Sequence, residues 1–263
     1  MESIQAIIDQ INQIKKKPLN KNIQDTSYNC EICKDTGATD QGLCSCVKNK
    51  QISNKIKSAE VPDRFKNSRL KGLEIKDPSH KNAYDNAKVM ILNIDKFIKN
   101  NWGLFIYGPP SQGKTEVQSC VVNELCIDKD YKGIMVNVKR LMGDLKDAVG
   151  KGTLNKILDT IKKNEIIALN DITGGKRPQD EFSPFERGII YELVDAVYEK
   201  EKTLIITGKY NYDWVEDKLG TDVKDRIIQM CGIEPILMKG HNFREEHGKK
   251  RDAEVKKMIQ KIS

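Results

Sequence analysis

Five short apolar runs, set apart by longer stretches of mixed polarity, give this chain its pattern: residues 104–107, 134–138, 166–169, 204–207 and, more weakly, 235–238. Continuous apolar runs of this length read as strands buried on both faces. From about Val61 onward they alternate with helix-compatible segments, which predicts an α/β fold with a five-stranded parallel sheet covered by helices on both sides. A different pattern precedes the sheet. Ile4, Ile7, Ile8, Ile11 and Ile14 recur at helical spacing over residues 3–17, and Pro18 ends the segment after three lysines. Such a stripe has to be buried, either on the rest of the chain or in the groove of a partner. The polar residues 48–58 read as a linker or an exposed helix, and the stretch from Glu245 onward is a basic tail. The organisation expected is an N-terminal helix plus small module over 1–58 and a larger α/β domain over 59–263.

Composition adds a preference for anionic partners. The 263 residues carry a formal net charge of +7, with 32% charged residues, which suits nucleic acid. No apolar run approaches membrane-spanning length. The start of the chain lacks the apolar core and cleavage site of a secretory signal. The expected location is cytoplasmic, with no membrane partner. Of seven cysteines, Cys120, Cys126 and Cys231 are scattered and read as small buried apolar residues. The other four cluster as Cys30-x2-Cys33, ten residues, then Cys44-x-Cys46. Four thiolates so close together in a reducing compartment suit one tetrahedral Zn2+, and Gly37 and Gly42 let the chain turn back between the pairs. The metal would supply much of the folding energy of so small a module. The Cys-x-Cys half leaves room for a ligand of another kind.

The strongest chemical signal is Gly108-Pro109-Pro110-Ser111-Gln112-Gly113-Lys114-Thr115, a full match to GxxxxGK[ST]. An apolar run feeds into it and a helix-compatible segment, 116–126, leaves it. That setting marks a phosphate-binding loop. Its backbone N–H groups turn toward phosphate oxygens, Lys114 reaches the β/γ-phosphates, and the Thr115 hydroxyl is placed to ligate Mg2+. Such a site also needs an acid at the end of a neighbouring strand. The third run ends Leu169-Asn170-Asp171-Ile172. Either Asn170 takes the magnesium position and Asp171 activates water, or Asp171 holds the metal and no acid follows. Alternation along a strand makes the two exclusive. Each leaves one carboxylate missing, which predicts weak hydrolysis with nucleotide binding retained.

Taken in order, these segments resemble the helicase loaders of the DnaC/DnaI type, in the AAA+ superfamily and close to IstB-like ATPases. Val61-Pro62-Asp63-Arg64-Phe65 resembles the IPxRF sequence that opens the family's ATPase domain, and Gly108 to Thr115 its Walker A loop. Asn170-Asp171-Ile172 sits at Walker B, Phe185-Glu186-Arg187 resembles the segment before the fourth strand, and Thr207-Gly208-Lys209 sits at sensor 1, with Lys209 in place of the usual Asn. Leu219-Gly220 with Asp225-Arg226-Ile227 resembles the arginine-finger box, and Lys239-Gly240-His241-Asn242-Phe243-Arg244 the sensor-2 motif. The cysteine cluster resembles the zinc module of the DnaI-like branch. The resemblance implies an AAA+ P-loop domain binding ATP (or ADP) and Mg2+ through Gly108, Pro109, Pro110, Ser111, Gln112, Gly113, Lys114, Thr115, Glu116 and Arg244. It implies Lys114, Asp171 and Arg226 as catalytic residues, the last acting across a subunit boundary and so requiring self-association. It also implies Zn2+ at Cys30, Cys33, Cys44 and Cys46, a grip on a hexameric DnaB-type replicative helicase, and delivery of that helicase onto single-stranded DNA. Lys139 and Arg140, with Lys146 and Lys151, are the candidates for DNA contact. Aromatic residues near them are scarce, so stacking on bases is not expected. The competing readings are a non-hydrolysing adaptor that holds or sequesters the helicase, and an IstB-like transposition helper.

Overall fold

The computed structural model describes residues 28–40, 42–149, 151 and 153–262. The isoleucine stripe at 3–17 lies outside them. The chain divides into two compact units, residues 1–50 and 51–263. In the first, β1 (Ala38–Thr39) and β2 (Gly42–Leu43) pair as a small antiparallel hairpin. The polar stretch that read as linker or helix is helical: α1 runs over Ser45–Ser58 and contains the division between the units.

The second unit is built on a five-stranded sheet in the order β4 (Gly133–Asn137), β5 (Ile166–Asn170), β6 (Thr203–Gly208), β3 (Leu104–Tyr107), β7 (Ile236–Leu237). Every neighbouring pair is parallel. All five apolar runs are therefore strands of one sheet. Side-chain alternation sends successive residues to opposite faces, and each face has its own core. Phe105, Val136, Leu169 and Ile206 join one cluster with Leu193, Val194 and Val197 of α7 (Pro184–Glu199). α8 (Tyr212–Leu219) adds Val215 to that cluster, and α9 (Thr221–Cys231) adds Ile227. Ile106, Met135, Ala168 and Ile205 join the other, with Ala83, Ala87 and Met90 of α2 (Pro78–Leu92). The helix that follows the phosphate loop, α4 (Lys114–Asn123), adds Val117 and Val121 on the same face. A short helix, α3 (Ile94–Lys99), links α2 to the sheet. α5 (Val138–Val149) and α6 (Leu154–Lys162) follow β4.

The helix starts that matter for the site are marked in sequence. Asp77 caps α2 by accepting from the N–H groups of Ser79 and His80, with Pro78 in the first turn. Ser183 and Glu186 form a capping box on α7. The segment 116–126 is helical as expected but starts two residues earlier, and it ends in a wide π-type turn over Glu124–Asp128. The basic tail is also a helix, α10 (Phe243–Ile262), largely exposed. Cys120 and Cys126 are buried as expected, and burial pushes their thiols up to about 12 and about 11. Cys231 is only half-buried, against the edge of a core cluster. Among the described residues no helix is long and apolar enough to cross a membrane.

Candidate nucleotide site and cysteine centre

The phosphate loop runs from the end of β3 to the start of α4. Its first glycine is required by space. Gly108 has φ +139, and a Cβ there would lie 1.9 Å from the carbonyl oxygen of Met238. The loop is tied to the segment after β7 twice: Met238 N–H donates to Tyr107 O at 2.8 Å, and Phe243 N–H donates to Ser111 O at 3.1 Å. Residues distant in sequence thus meet over one cavity of about 380 Å³. Its walls include Pro110 to Glu116 of the loop and α4, Asn170 at the end of β5 with Asp171 just after it, Thr207 and Gly208 at the end of β6 with Lys209 just after them, and Phe243 and Arg244 from α10. Walker A, Walker B, sensor 1 and sensor 2 positions therefore share one space.

Strand parity decides what faces what. Ile166 and Ala168 pack on the α4 side of the sheet, so Asn170, two residues further, points the same way. Its amide oxygen accepts from the Thr115 hydroxyl at 3.1 Å and from the Thr207 hydroxyl at 3.2 Å. Gln118 locks this corner from below, donating to Leu169 O at 3.2 Å and Ile205 O at 2.9 Å. Asp171 has left the strand, with φ +56. Its N–H donates to the Thr207 hydroxyl at 3.0 Å, and its carboxylate accepts from Thr173 Oγ1. Of the two registers open in the sequence, this geometry has Asn170 beside Thr115. Two neutral oxygens are a poor seat for a tightly held Mg2+, which favours carboxylates together with substrate phosphates.

The cavity is cationic. Arg64, Lys114, Lys209 and Arg244 line it against two carboxylates, Glu116 and Asp171. The Lys114 ammonium donates to Gly108 O at 2.7 Å and Pro109 O at 2.6 Å. Burial pulls its pKa down to about 8; Arg244 and Lys209 push the same way, and Asp171 opposes them. Burial raises the carboxyl of Glu116, against the pull of Arg64. Lys209 donates to Lys176 O at 3.3 Å.

A second cavity, of about 270 Å³, shares Arg64, Gln112, Gly113, Glu116, Phe243 and Arg244 with the first. Leu73, Ile75, His80, Tyr84, Val117 and Met238 line the rest of it, together with the polar Glu74 and His247. Sequence reasoning missed two parts of this arrangement. Arg64 and Phe65 reach the first cavity from well upstream; only their place in a motif before the sheet pointed to them. The sensor-2 turn is clasped by the start of α2. The Ser79 hydroxyl donates to Lys239 O at 2.8 Å and lies 3.0 Å from Lys239 N, while Asp77 accepts from His241 N–H at 3.4 Å. Phe243 stacks on His80 with ring centroids 5.3 Å apart. The Asp77-Pro78 cap signal was readable, but not what the cap would also hold.

Not every expected site residue comes to the cavity. Arg226 does not line it. Arg226 Nε lies 2.9 Å from Asp195 Oδ1, and Nη2 donates to the Tyr191 hydroxyl at 3.1 Å. The guanidinium sits 5.0 Å and 5.7 Å from the ring centres of Tyr191 and Tyr198. Lys139 and Arg140 are exposed on α5, and Arg140 lies 3.6 Å from Asp144. Lys146 is 3.2 Å from Glu186, which also pairs with Lys176 at 3.2 Å. Despite the cost of burial, the Ser183 N–H and these two lysines hold the Glu186 carboxyl down at about 2. Part of the positive charge expected to face DNA is thus neutralised within the chain.

In the first unit, the four clustered thiols converge. The Sγ atoms of Cys30, Cys33, Cys44 and Cys46 all lie within 4.8 Å of one another. Cys30 and Cys44 are 3.7 Å apart, and Cys33 and Cys46 are 3.5 Å apart. Tetrahedral Zn–S bonds imply S···S separations of roughly 3.8 Å. Gly37 and Gly42, at φ +76 and +109, make the turn between the pairs. The backbone N–H of Cys46 helps hold the Cys44 thiol down to about 7, while Cys33 drives Cys46 up to about 12. Cys44 takes the charge at the cost of Cys46. The donor set fits a single soft-ligand cation such as Zn2+ without a ligand of another kind.

A family model described as "IstB-like ATP binding protein" matches residues 47–251. The chain belongs to this IstB-like ATP-binding family. Among curated proteins, the replicative helicase loader DnaI of Bacillus subtilis (strain 168) is 25% identical over 123 residues. That match takes in 47% of this chain and 39% of the relative, so the chain is matched over well under half of DnaI's length. Among solved structures, a DnaC helicase loader superposes with a TM-score of 0.59 at 24% identity, covering 68% of this chain and all of that one. A DnaI structure gives 0.58 at 20% identity, covering 70% and 94%. A replication initiator DnaA bound to AMPPCP and single-stranded DNA gives 0.57 at 16% identity, covering 69% and 52%. At these identities the structural likenesses speak for the fold. They agree with an AAA+ domain on a five-stranded parallel sheet.

Proposed function

We propose that this IstB-like protein is an ATP-controlled loader: it binds nucleotide and single-stranded DNA and delivers a hexameric replicative helicase onto DNA. The observation that carries the reading is the similarity to the DnaI loader in a chain whose P-loop and sensor positions share one cavity. In this reading residues 1–58 grip the helicase and 59–263 form the nucleotide-dependent part. The triphosphate lies in the polar cavity, against the loop N–H groups, Lys114, Lys209 and Arg244. The base and ribose extend past Phe243 into the adjoining cavity, against Leu73, Ile75 and Tyr84. Arg226 serves the nucleotide of a neighbouring copy, after release from Asp195 and Tyr191. Single-stranded DNA runs over a basic surface that includes Lys139 and Arg140, held through its backbone rather than its bases.

Hydrolysis is the weak part. Asp171 is the acid whose charge acts on Lys114, and Asn170 brings no charge to the position next to Thr115. Steady-state turnover with the helicase and DNA present is expected below about 1 per second, the low end for enzymes; a colorimetric phosphate assay reads it. The neutral Asn170 is also what favours the second reading, an adaptor in which nucleotide is structural.

Native mass spectrometry of the protein mixed with the replicative helicase of its source, with and without ATP and Mg2+, tests the proposal. A defined complex with the helicase hexamer is expected. No complex under any condition would overturn it and favour a transposition-type helper.

Nucleotide binding should also be linked to pH. Phosphate oxygens favour charged Lys114, so its bound pKa exceeds the free value of about 8. Affinity is then greatest below that value and falls as pH rises through it, and binding at pH above about 8 takes up a proton. Calorimetry in two buffers of different ionisation enthalpy measures the uptake directly. Zero uptake would separate Lys114 from the phosphates.

A further inference from the structure

We propose that Lys209 replaces the divalent ion as the counter-charge of the terminal phosphates, so that this site binds a nucleoside triphosphate without Mg2+. The inference rests on the reading of the cavity as a nucleotide site. It goes further by assigning how the charge of the ligand is balanced.

Three features of the cavity carry it. The first is the setting of Asn170, a neutral oxygen enclosed by two hydroxyls. An amide oxygen offers two lone pairs; the Thr115 hydroxyl donates to one at 3.1 Å, and the Thr207 hydroxyl, which lies 3.2 Å away and is shared with Gln118 Oε1 at 3.5 Å, faces the other. The position where a metal would need an acidic or free oxygen presents neither. The second is Asp171, the carboxylate that follows Asn170. It leaves the strand with φ +56 and accepts from Thr173, so it is not aligned with Thr115 and Asn170 on the α4 face. The third is the charge of the wall itself. Four cationic side chains face two carboxylates, an excess that suits a polyanion arriving without its own cation.

Lys209 is the cation that this arrangement adds. It follows Thr207 and Gly208 at the end of β6, the strand beside β5, and lines the cavity with Asn170, Asp171 and Lys114. Among the described residues its one hydrogen bond is to a backbone carbonyl, that of Lys176, at 3.3 Å. That bond is long, at the weak end of the range, and the flexible stem lets the ammonium exchange it for a phosphate oxygen. The neutral amide of Asn170 and the cation of Lys209 are then two halves of one way of balancing charge.

The test is binding of a fluorescent ATP analogue, titrated in excess MgCl2 and in EDTA, with circular dichroism to verify folding of each variant. For the unaltered protein the two dissociation constants should agree within about threefold, less than the tenfold that corresponds to about 1.4 kcal/mol. Lys209→Asn should weaken binding in EDTA by about tenfold or more, the scale of one charge-assisted hydrogen bond. Lys209→Arg should retain most of it. Asn170→Asp should create metal dependence, binding worse in EDTA and recovering in Mg2+. A tenfold or greater loss for the unaltered protein in EDTA would overturn the inference and leave nucleotide binding standing. Equal EDTA affinities for the unaltered protein and Lys209→Asn would overturn it as well. Absence of binding in both buffers would overturn the nucleotide reading together with it.

Discussion

Replacing Lys114 with alanine should lower nucleotide affinity on the order of a hundredfold, because a charged donor to phosphate contributes about 1.5–3 kcal/mol and its desolvated setting favours the upper end. The side chain now donates to Gly108 O and Pro109 O, so it is already held at the mouth of the loop. Fluorescent nucleotide titration measures the loss. The same variant separates the two functional readings. A loader that switches with ATP loses delivery of the helicase to DNA, whereas an adaptor keeps both the helicase complex and its function. Unchanged affinity would mean that the cavity over the loop does not take the phosphates.

The second large effect is expected at the cysteine centre. β1 and β2 are two residues each, far too little to hold a fold by burial. A structural zinc contributes about 10–16 kcal/mol of apparent binding energy in comparable small modules. Cys33→Ser should therefore abolish the stoichiometric zinc found by elemental analysis, and with it the ordered fold of that unit, seen as lost amide protection over residues 30–47. Helicase binding should fall with it, if this region is the grip, while nucleotide titrations stay unchanged. One zinc per chain retained by the serine variant would remove Cys33 from the ligand set.

The parts of this structure that were legible in the sequence are those whose signal is local. The five strands were readable because both their faces are buried, which forces continuous apolar runs. The phosphate loop was readable because its glycines and lysine sit in one stretch. The four cysteines likewise fall within seventeen residues of chain, 30–46. What needed the structure depends on contacts between distant segments. The sequence left Asn170 and Asp171 open, because parity alone does not say where the strand stops. The positive φ at Asp171 marks that point, and the Thr115 hydroxyl shows which residue faces α4. Arg64 in the wall and the hold of Asp77 and Ser79 on the Lys239–His241 turn join positions more than forty residues apart. The arginine expected as a finger is folded onto Asp195, Tyr191 and Tyr198 of its own chain, an arrangement no motif announces. Lys146 is similarly claimed by Glu186, which weakens it as a DNA contact.

β7 pairs with β3 through Ile106 and Tyr107 alone. Arg244 is therefore held less by the sheet ladder than by the bonds that Ser79, Asp77 and Ser111 make to the segment before it. An edge held by a short ladder and a few side-chain bonds is a place where a protein can open locally without unfolding as a whole. A ligand that spans the loop and Arg244 acts as a staple across that seam, and by mass action it suppresses the opening in proportion to its occupancy. Fraying of the last strand and of the twenty-residue helix behind it would thus rise and fall with the nucleotide pool. The C-terminal end of the protein would then serve as a gauge of whether the cavity is filled.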